Sequence, residues 1–459
     1  MSYIKNFEDP ELLKEIGLTD IESLFSDIPE DARISGLDLP PGMEEWELTR
    51  TLDDIIAMNK KMLSFLGGGV YHHHIPAAVG AILSRGELFT SYTPYQPEVS
   101  QGMLQSIFEY QSQICELTGM EVSNASMYDA STALGEAALM SSRINRKTEF
   151  IIPAAIAPEK KSVLDNYIKG AGMTFKEIPF QQENGQVSLD NLQELMNDNT
   201  TGVYIESPNY FGVLEERLPE LKEMLPKKTL LTVGINPIAQ GILEAPGNFD
   251  ADIVIGEGQP LGIPANLGGP LIGIMTSRKK HARKMPGRII GLTRDSQGDR
   301  AFAMTLMTRE QHIRRERATS NICSNQSLCA VAAGVYMAMV GKTGLRKLAL
   351  INLRNAHSLA KRLDELPGIT APYFTSPFFN EFTVKIDPEK AGLGSGHAGI
   401  GQAGVEGLRN TLVEQGIEPG IPLKTKFDGM DNILLTCSTE VHTQGDHDRL
   451  INAIRSAIQ

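Results

Sequence analysis

The spacing of apolar residues divides the chain into three stretches. Residues 1–66 predict a helical arm. An amphipathic run over 12–16 follows Asp9-Pro10, a second helix is expected near 20–25 with Thr19 or Asp20 as its cap, and a third from Glu45 to about residue 65. Its apolar positions are Leu52, Ile55, Ile56, Met62, Leu63 and Leu66. From 67 to 326 strand and helix patterns alternate. Met103, Leu104, Ile107, Phe108, Ile114, Cys115 and Leu117 share one face of a helix over 103–117, which Gly119 stops. Further helices are expected over 131–143, 159–170, 189–196 and 218–224. Strands are expected over 150–152, 173–178, 202–206, 229–233, 252–255 and 271–275. Short apolar strands between helices give an α/β fold with a mostly parallel sheet, buried on both faces. The last stretch, 327–459, predicts a small α+β domain. Its elements are helices over 327–340 and 345–363, a strand over 381–386, a Gly-rich loop over 392–407, a helix over 405–415, a strand over 433–437 and a closing helix over 444–458.

Composition narrows the function classes. A chain of 459 residues has room for two or three domains, and its 41% hydrophobic and 22% charged content is that of a globular protein. A formal charge of −13 argues against nucleic acid or an anionic membrane as partner. Cys115, Cys323, Cys329 and Cys437 are scattered, with neither metal-ligand spacing nor a disulfide framework. A reducing compartment is expected, with no metal. The N-terminus has no apolar signal core, and no window offers the roughly 18 apolar residues that span a bilayer. A cytoplasmic location follows as an expectation.

An absence is more informative. No lysine occurs between Lys228 and Lys279, in a stretch built like the lysine-bearing wall of a pyridoxal-phosphate (PLP) site. Such sites hold the aldehyde cofactor as an imine with a lysine at a strand end, because only a desolvated amine forms and exchanges that link. The corresponding segment here is Gly256-Glu257-Gly258-Gln259-Pro260, with Gln259 in the region of the lysine. A second anchor is missing too. Asn236, in Gly234-Ile235-Asn236-Pro237, stands where these enzymes place the aspartate that protonates the pyridine nitrogen. The chain therefore reads as built around a cofactor site it cannot use alone. A rival reading puts the lysine at Lys228 or Lys279, but these lie at the start of one strand and past the end of another. A third makes the chain a pure scaffold or regulator.

Four segments could carry chemistry. The run SYTPYQPE at 91–98 is either a stiff exposed loop or a binding wall, with hydroxyls and a carboxylate on a backbone fixed by Pro94 and Pro97. His72, His73 and His74 are adjacent and so point in different directions. One histidine beside a ligand fits better than a shared metal. The segment 124–133 (NASMYDASTA) opens a helix, either as a phosphate seat or through plain capping by Asp129 or Ser131. The run 308–326 (TREQHIRRERATSNICSNQ) reads as a charged helix with a Glu310–Arg314 pair, leading into an uncharged polar turn.

These segments, with SYTPYQPEVSQGMLQSIFEYQSQICELTGMEVSNASMYDASTA at 91–133 and PFFNEF at 377–382, resemble the P-protein of the glycine cleavage system. The likeness is to its split form, glycine dehydrogenase (decarboxylating), and there to the alpha chain, subunit 1. It covers nearly the whole chain. It implies the type I PLP-dependent transferase fold, with a large α/β domain over 67–326, a small C-terminal domain over 327–459 and the arm over 1–66. It further implies a heterodimer with a beta subunit, paired into α2β2. The PLP would be bound by that partner, with glycine as substrate and the lipoyl arm of H-protein as acceptor of the aminomethyl group. The beta chain's His-Lys dipeptide has no counterpart here. In such folds the loop before the first large helix reaches the neighbour's site, which picks out Thr93, Tyr95, Gln96 and Glu98. His73, where the family's recurring histidine falls, Asn124, Tyr128, Ser131 and Thr132 would line a vestigial pocket. Arg314, Arg315, Arg317, Thr319, Ser320 and Asn321 would form an interface motif.

Overall fold

The structure is a computed structural model, and it describes residues 10–34, 36–266, 268–305, 310–322, 325–392 and 404–458. The Gly-rich loop expected over 392–407, and Thr308, Arg309, Cys323 and Ser324 of the charged run, fall wholly or partly outside these residues. The chain forms two compact units, 1–61 and 62–459.

In the first unit, helix Pro10–Glu15 is followed by two 3-10 turns, Glu22–Phe25 and Glu30–Ala32. Asp20 accepts the Ser23 N–H at 2.8 Å at the start of the first of these, whose N-cap residue is Ile21. The third helix is shorter than expected, Glu45–Ala57. The Asn59 amide bonds the Ile56 carbonyl at 3.1 Å and closes its end. None of this helix's residues is buried, and Trp46, Leu52, Ile55 and Ile56 are all largely exposed.

The second unit is organised by a seven-stranded sheet. Across the sheet the strands run Val122–Ser123, Gly273–Ser277, Ile253–Glu257, Leu230–Ile235, Thr200–Ser207, Glu149–Pro153 and Thr174–Ile178. The last five in that order are mutually parallel, while Gly273–Ser277 runs antiparallel to Ile253–Glu257. Every residue of Thr200–Ser207 and Leu230–Ile235 is buried, as central strands covered on both faces must be. Each such Val, Leu or Ile side chain contributes roughly 1.5–3 kcal/mol. Helices Gln101–Thr118 and Ala130–Asn145 lie at the expected places, and Gly119 closes the first at φ 66°.

The helices expected over 327–340 and 345–363 form one long element, Ser327–Asp364, broken at Gly341 (φ 61°). Contrary to the sequence expectation, this helix is long and apolar enough to cross a membrane, with a window of mean hydropathy 1.5. Here it serves as a core helix. Ala330, Ala332, Ala333 and Tyr336 pack with Tyr110 and Ile114. The C-terminal part is a four-stranded antiparallel sheet, Ile369–Thr370, Glu381–Ile386, Ile433–Cys437 and Ile421–Pro422 in spatial order, backed by helices Val405–Glu414 and Gln444–Ala457. Leu63–Ser64 pairs in parallel with Ile417–Glu418, and Phe65 is fully buried in this C-terminal core. The arm's last helix therefore cannot reach residue 65.

Candidate active-site cleft

In open α/β sheets, ligands sit at the C-terminal ends of the parallel strands. Glu206, Asn236 and Glu257 lie at or just past the C-terminal ends of three adjacent strands here. The strap 67–71 and the strand residue Glu381 close the cleft from the other side. Glycine is needed there, since a Cβ on Gly67 would overlap the Glu381 carboxylate. Gly68 N–H donates to Glu381 Oε1 at 2.6 Å, and the Tyr71 hydroxyl donates to Oε2 at 2.7 Å. Burial pushes the Glu381 carboxyl up to about 7, with Glu206 adding to the rise and these two donors opposing it.

The residues at the two cofactor anchors have other work. Gln259 is 1% exposed. Its Oε1 accepts the Tyr71 N–H at 2.9 Å, and its Nε2 donates to the Tyr71 carbonyl at 3.0 Å and the Ile263 carbonyl at 2.7 Å. It pins the strap and does not face the cleft as a lysine would. Asn236 Oδ1 accepts from Ile238 N at 2.9 Å and Ala239 N at 3.2 Å, while its buried Nδ2 has no acceptor. The lysine that lines the cleft is Lys160, paired with Glu206. Lys228 and Lys279, the alternatives weighed above, are exposed and do not line it.

Both readings of the helix start at 130 can be tested. Asp129 caps it, with Thr132 N–H donating to Oδ1 at 2.7 Å and Thr132 Oγ1 accepting the Asp129 N–H at 3.1 Å. The first helical N–H, Ala130, donates to Glu257 Oε2 at 3.1 Å. Glu257 Oε1 also accepts from Gln259 N at 3.0 Å and Ile272 N at 3.2 Å. Burial raises the Glu257 carboxyl to about 7 against these bonds. The remaining cavity is about 40 Å³, whereas a site for a drug-sized ligand takes roughly 300 Å³ or more. PLP therefore does not fit this chain. Its amine link, its pyridine partner, its phosphate seat and its volume are all taken.

The other expected site residues scatter. His73 is buried, with Nδ1 2.8 Å from Glu440 Oε2. Glu440 also accepts the His74 N–H at 2.7 Å and the Asn352 amide at 2.9 Å. His73 thus ties the strap to the C-terminal part, outside the cleft. Asn124 donates to Met127 Sδ at 3.0 Å and the Pro286 carbonyl at 3.3 Å. Tyr128 packs against the core beneath the sheet. Ser131 and Thr132 are half-buried on the helix's first turn. None of these lines the cleft.

In the loop, Thr93 and Tyr95 converge on Arg288, which sequence reasoning missed. Arg288 Nη1 donates to Thr93 Oγ1 at 3.2 Å and Nη2 to the Tyr95 hydroxyl at 2.9 Å, with the guanidinium 5.2 Å from the Tyr95 ring centroid. Glu310 lies 4.0 Å from Arg288 Nε. Gln96 and Glu98 are exposed, and Gln101 braces the loop through the Pro97 carbonyl at 2.7 Å. The described part of the charged run, from Glu310 on, is not the expected helix. It makes one turn, Gln311–Arg314, then a 3-10 turn, Arg315–Arg317, because Arg315 takes φ 51°. Arg314, Arg315 and Arg317 are exposed, and Asn321 is exposed while Thr319 is half-buried. The Ser320 hydroxyl is bound to buried Glu136, which also faces Arg143 at 3.4 Å.

This arrangement has known counterparts. The strand order, with its cleft at the strand ends, is that of the type I PLP-dependent transferase fold. Sphingosine-1-phosphate lyase of Burkholderia pseudomallei (TM-score 0.65, 15% identity, 94% of both chains) shares it. So does glutamate decarboxylase of Lactobacillus brevis (TM-score 0.66, 13% identity, 95% and 97%). Residues 3–397 match the family model of the glycine cleavage system P-protein, and the chain belongs to that family. It is 42% identical over 464 residues to the probable glycine dehydrogenase (decarboxylating) subunit 1 of Moorella thermoacetica, covering 100% of both. It is 44% identical over 451 residues to that of Thermococcus onnurineus, covering 97% and 96%. An inhibitor-bound glycine decarboxylase (P-protein) structure superposes over 100% of both chains, with TM-score 0.89 and 35% identity.

Proposed function

We propose that this chain is the alpha subunit of a split, cytoplasmic glycine dehydrogenase (decarboxylating), inactive alone and completed by a beta subunit that binds the PLP. Together the two decarboxylate glycine and pass the aminomethyl group to the lipoyl arm of H-protein. The alpha chain shapes the shared pocket, fixes the dimer and helps line the path of the lipoyl arm. The observation that carries this reading is the filled cleft. A chain matching subunit 1 relatives from end to end has Gln259, Asn236 and Glu257 committed to internal bonds where PLP would need an amine, an acid and an open anion seat. The open apolar face of helix Glu45–Ala57 supports a partner, since an unpaired face of that kind is stabilised by burial. An α2β2 assembly is the expected form.

A scaffold role without active-site contribution keeps one point in its favour, because Thr93 and Tyr95 already serve Arg288 within this chain. Glycine–CO2 exchange, measured with H-protein for each subunit alone and for the mixture, tests the main reading. Exchange is expected only in the mixture. Exchange by this chain alone would refute it.

A further inference from the structure

We propose that Glu257 is a built-in anion, holding the place of a ligand phosphate at the start of helix Ala130–Asn145 and covering a latent site for inorganic phosphate. Three backbone N–H groups from three separate segments, Ala130, Gln259 and Ile272, converge on its carboxylate within 3.2 Å. Donors converging at the positive end of a 16-residue helix are what an oxyanion needs. An independent observation points the same way. Asn236 is 7% exposed, lines the same cavity, and its Nδ2 has no acceptor. The site thus holds a donor that Glu257 leaves unused.

Size and charge set the ligand. Truncating Glu257 at Cβ would join the space of one carboxylate to a cavity of about 40 Å³, which suits a tetrahedral oxyanion and not a pyridine ring. The charges around the seat oppose tight binding. Asp129 acts on Glu257 from the helix cap, and Glu206 and Glu381 line the cleft, with Lys160 as the cation among them. Millimolar affinity is expected. In the intact chain Glu257 bars phosphate-bearing ligands, so this subunit does not compete with its companion for the cofactor. That role rests on the function proposed above.

The test uses the full chain, with phosphorus NMR line broadening and thermal shift in about 10 mM inorganic phosphate. Wild type and Glu257→Gln, which keep the seat filled, should leave the phosphate line and Tm unchanged. Glu257→Ala and Glu257→Ser should broaden the line at least about twofold and gain about 2 °C in Tm. Broadening by wild type or Glu257→Gln equal to that by the truncations would overturn the proposal, as would none by folded truncations. Should both truncations unfold in phosphate-free buffer, rescue by phosphate supports the proposal and no rescue overturns it. Exchange activity is not read here, so failure of this test and failure of the subunit assignment remain distinguishable.

Discussion

Gln259→Ala removes the side chain that joins the cleft wall to the strap. Three hydrogen bonds disappear, to Tyr71 N, Tyr71 O and Ile263 O. At a net ~1 kcal/mol each they account for ~3 kcal/mol, and a buried N–H left without an acceptor adds ~1–3 kcal/mol. The effect is local to the strap, so a local measurement reads it most directly. Hydrogen exchange at the Tyr71 amide reads the opening of the strap directly. Together, ~4–6 kcal/mol corresponds to exchange faster by about three to four orders of magnitude. Gln259→Lys should behave similarly. Its ammonium can donate to the two carbonyls but offers the Tyr71 N–H no acceptor, and the site is buried. Restoring the lysine should therefore neither stabilise the strap nor yield a borohydride-fixed PLP adduct. Unchanged Tyr71 exchange in Gln259→Ala, or an adduct in Gln259→Lys, would refute the account of Gln259 as a structural pin.

Other perturbations test the neighbouring groups. Tyr95→Phe takes the acceptor from Arg288 Nη2, and Glu98→Gln removes the exposed carboxylate of the same loop. If the loop lines the partner's pocket, each should lower glycine–CO2 exchange in the reconstituted complex at least about tenfold with assembly unchanged, and full activity in both would make the loop merely structural. Burial pushes the Glu440 carboxyl up, but His73, the His74 N–H and Asn352 outweigh it and hold it down to about 2. A depressed carboxyl stabilises fully above its unfolded value of about 4.5, and the benefit fades as pH falls from there toward 2. Glu440→Gln should lower Tm at neutral pH and flatten its decline over that acid window. Glu381 has the opposite sign. Raised to about 7, it favours the fold most below about 4.5 and loses that contribution as pH rises through 7. Glu381→Gln should lower Tm less at pH 8 than at pH 5, and equal losses at both would contradict the burial of a carboxylate there.

The sheet was legible because its strands are short apolar runs flanked by helices of clear 3.6 period, such as 101–118. The missing lysine and the missing aspartate were legible as well, since both are local facts of the sequence. What fills the cleft was not. Glu257 lay in view within Gly256-Glu257-Gly258-Gln259-Pro260, but its acceptor role depends on Ala130, which is distant in sequence. Lys160 with Glu206, and Arg288 with Thr93 and Tyr95, are likewise contacts between remote residues that no periodicity marks. The run 308–317 misled because its charges suit a helix while Arg315 adopts positive φ. Glu381 stands in the segment PFFNEF at 377–382 without any sign that the strap would close on it.

Borohydride reduction of the complex co-purified with its companion, followed by peptide mapping, tests the central claim most directly. The PLP label is expected on a lysine of the companion chain, with none on this chain, Lys160 included. A stoichiometric label on Lys160 or any other lysine of this chain would contradict it.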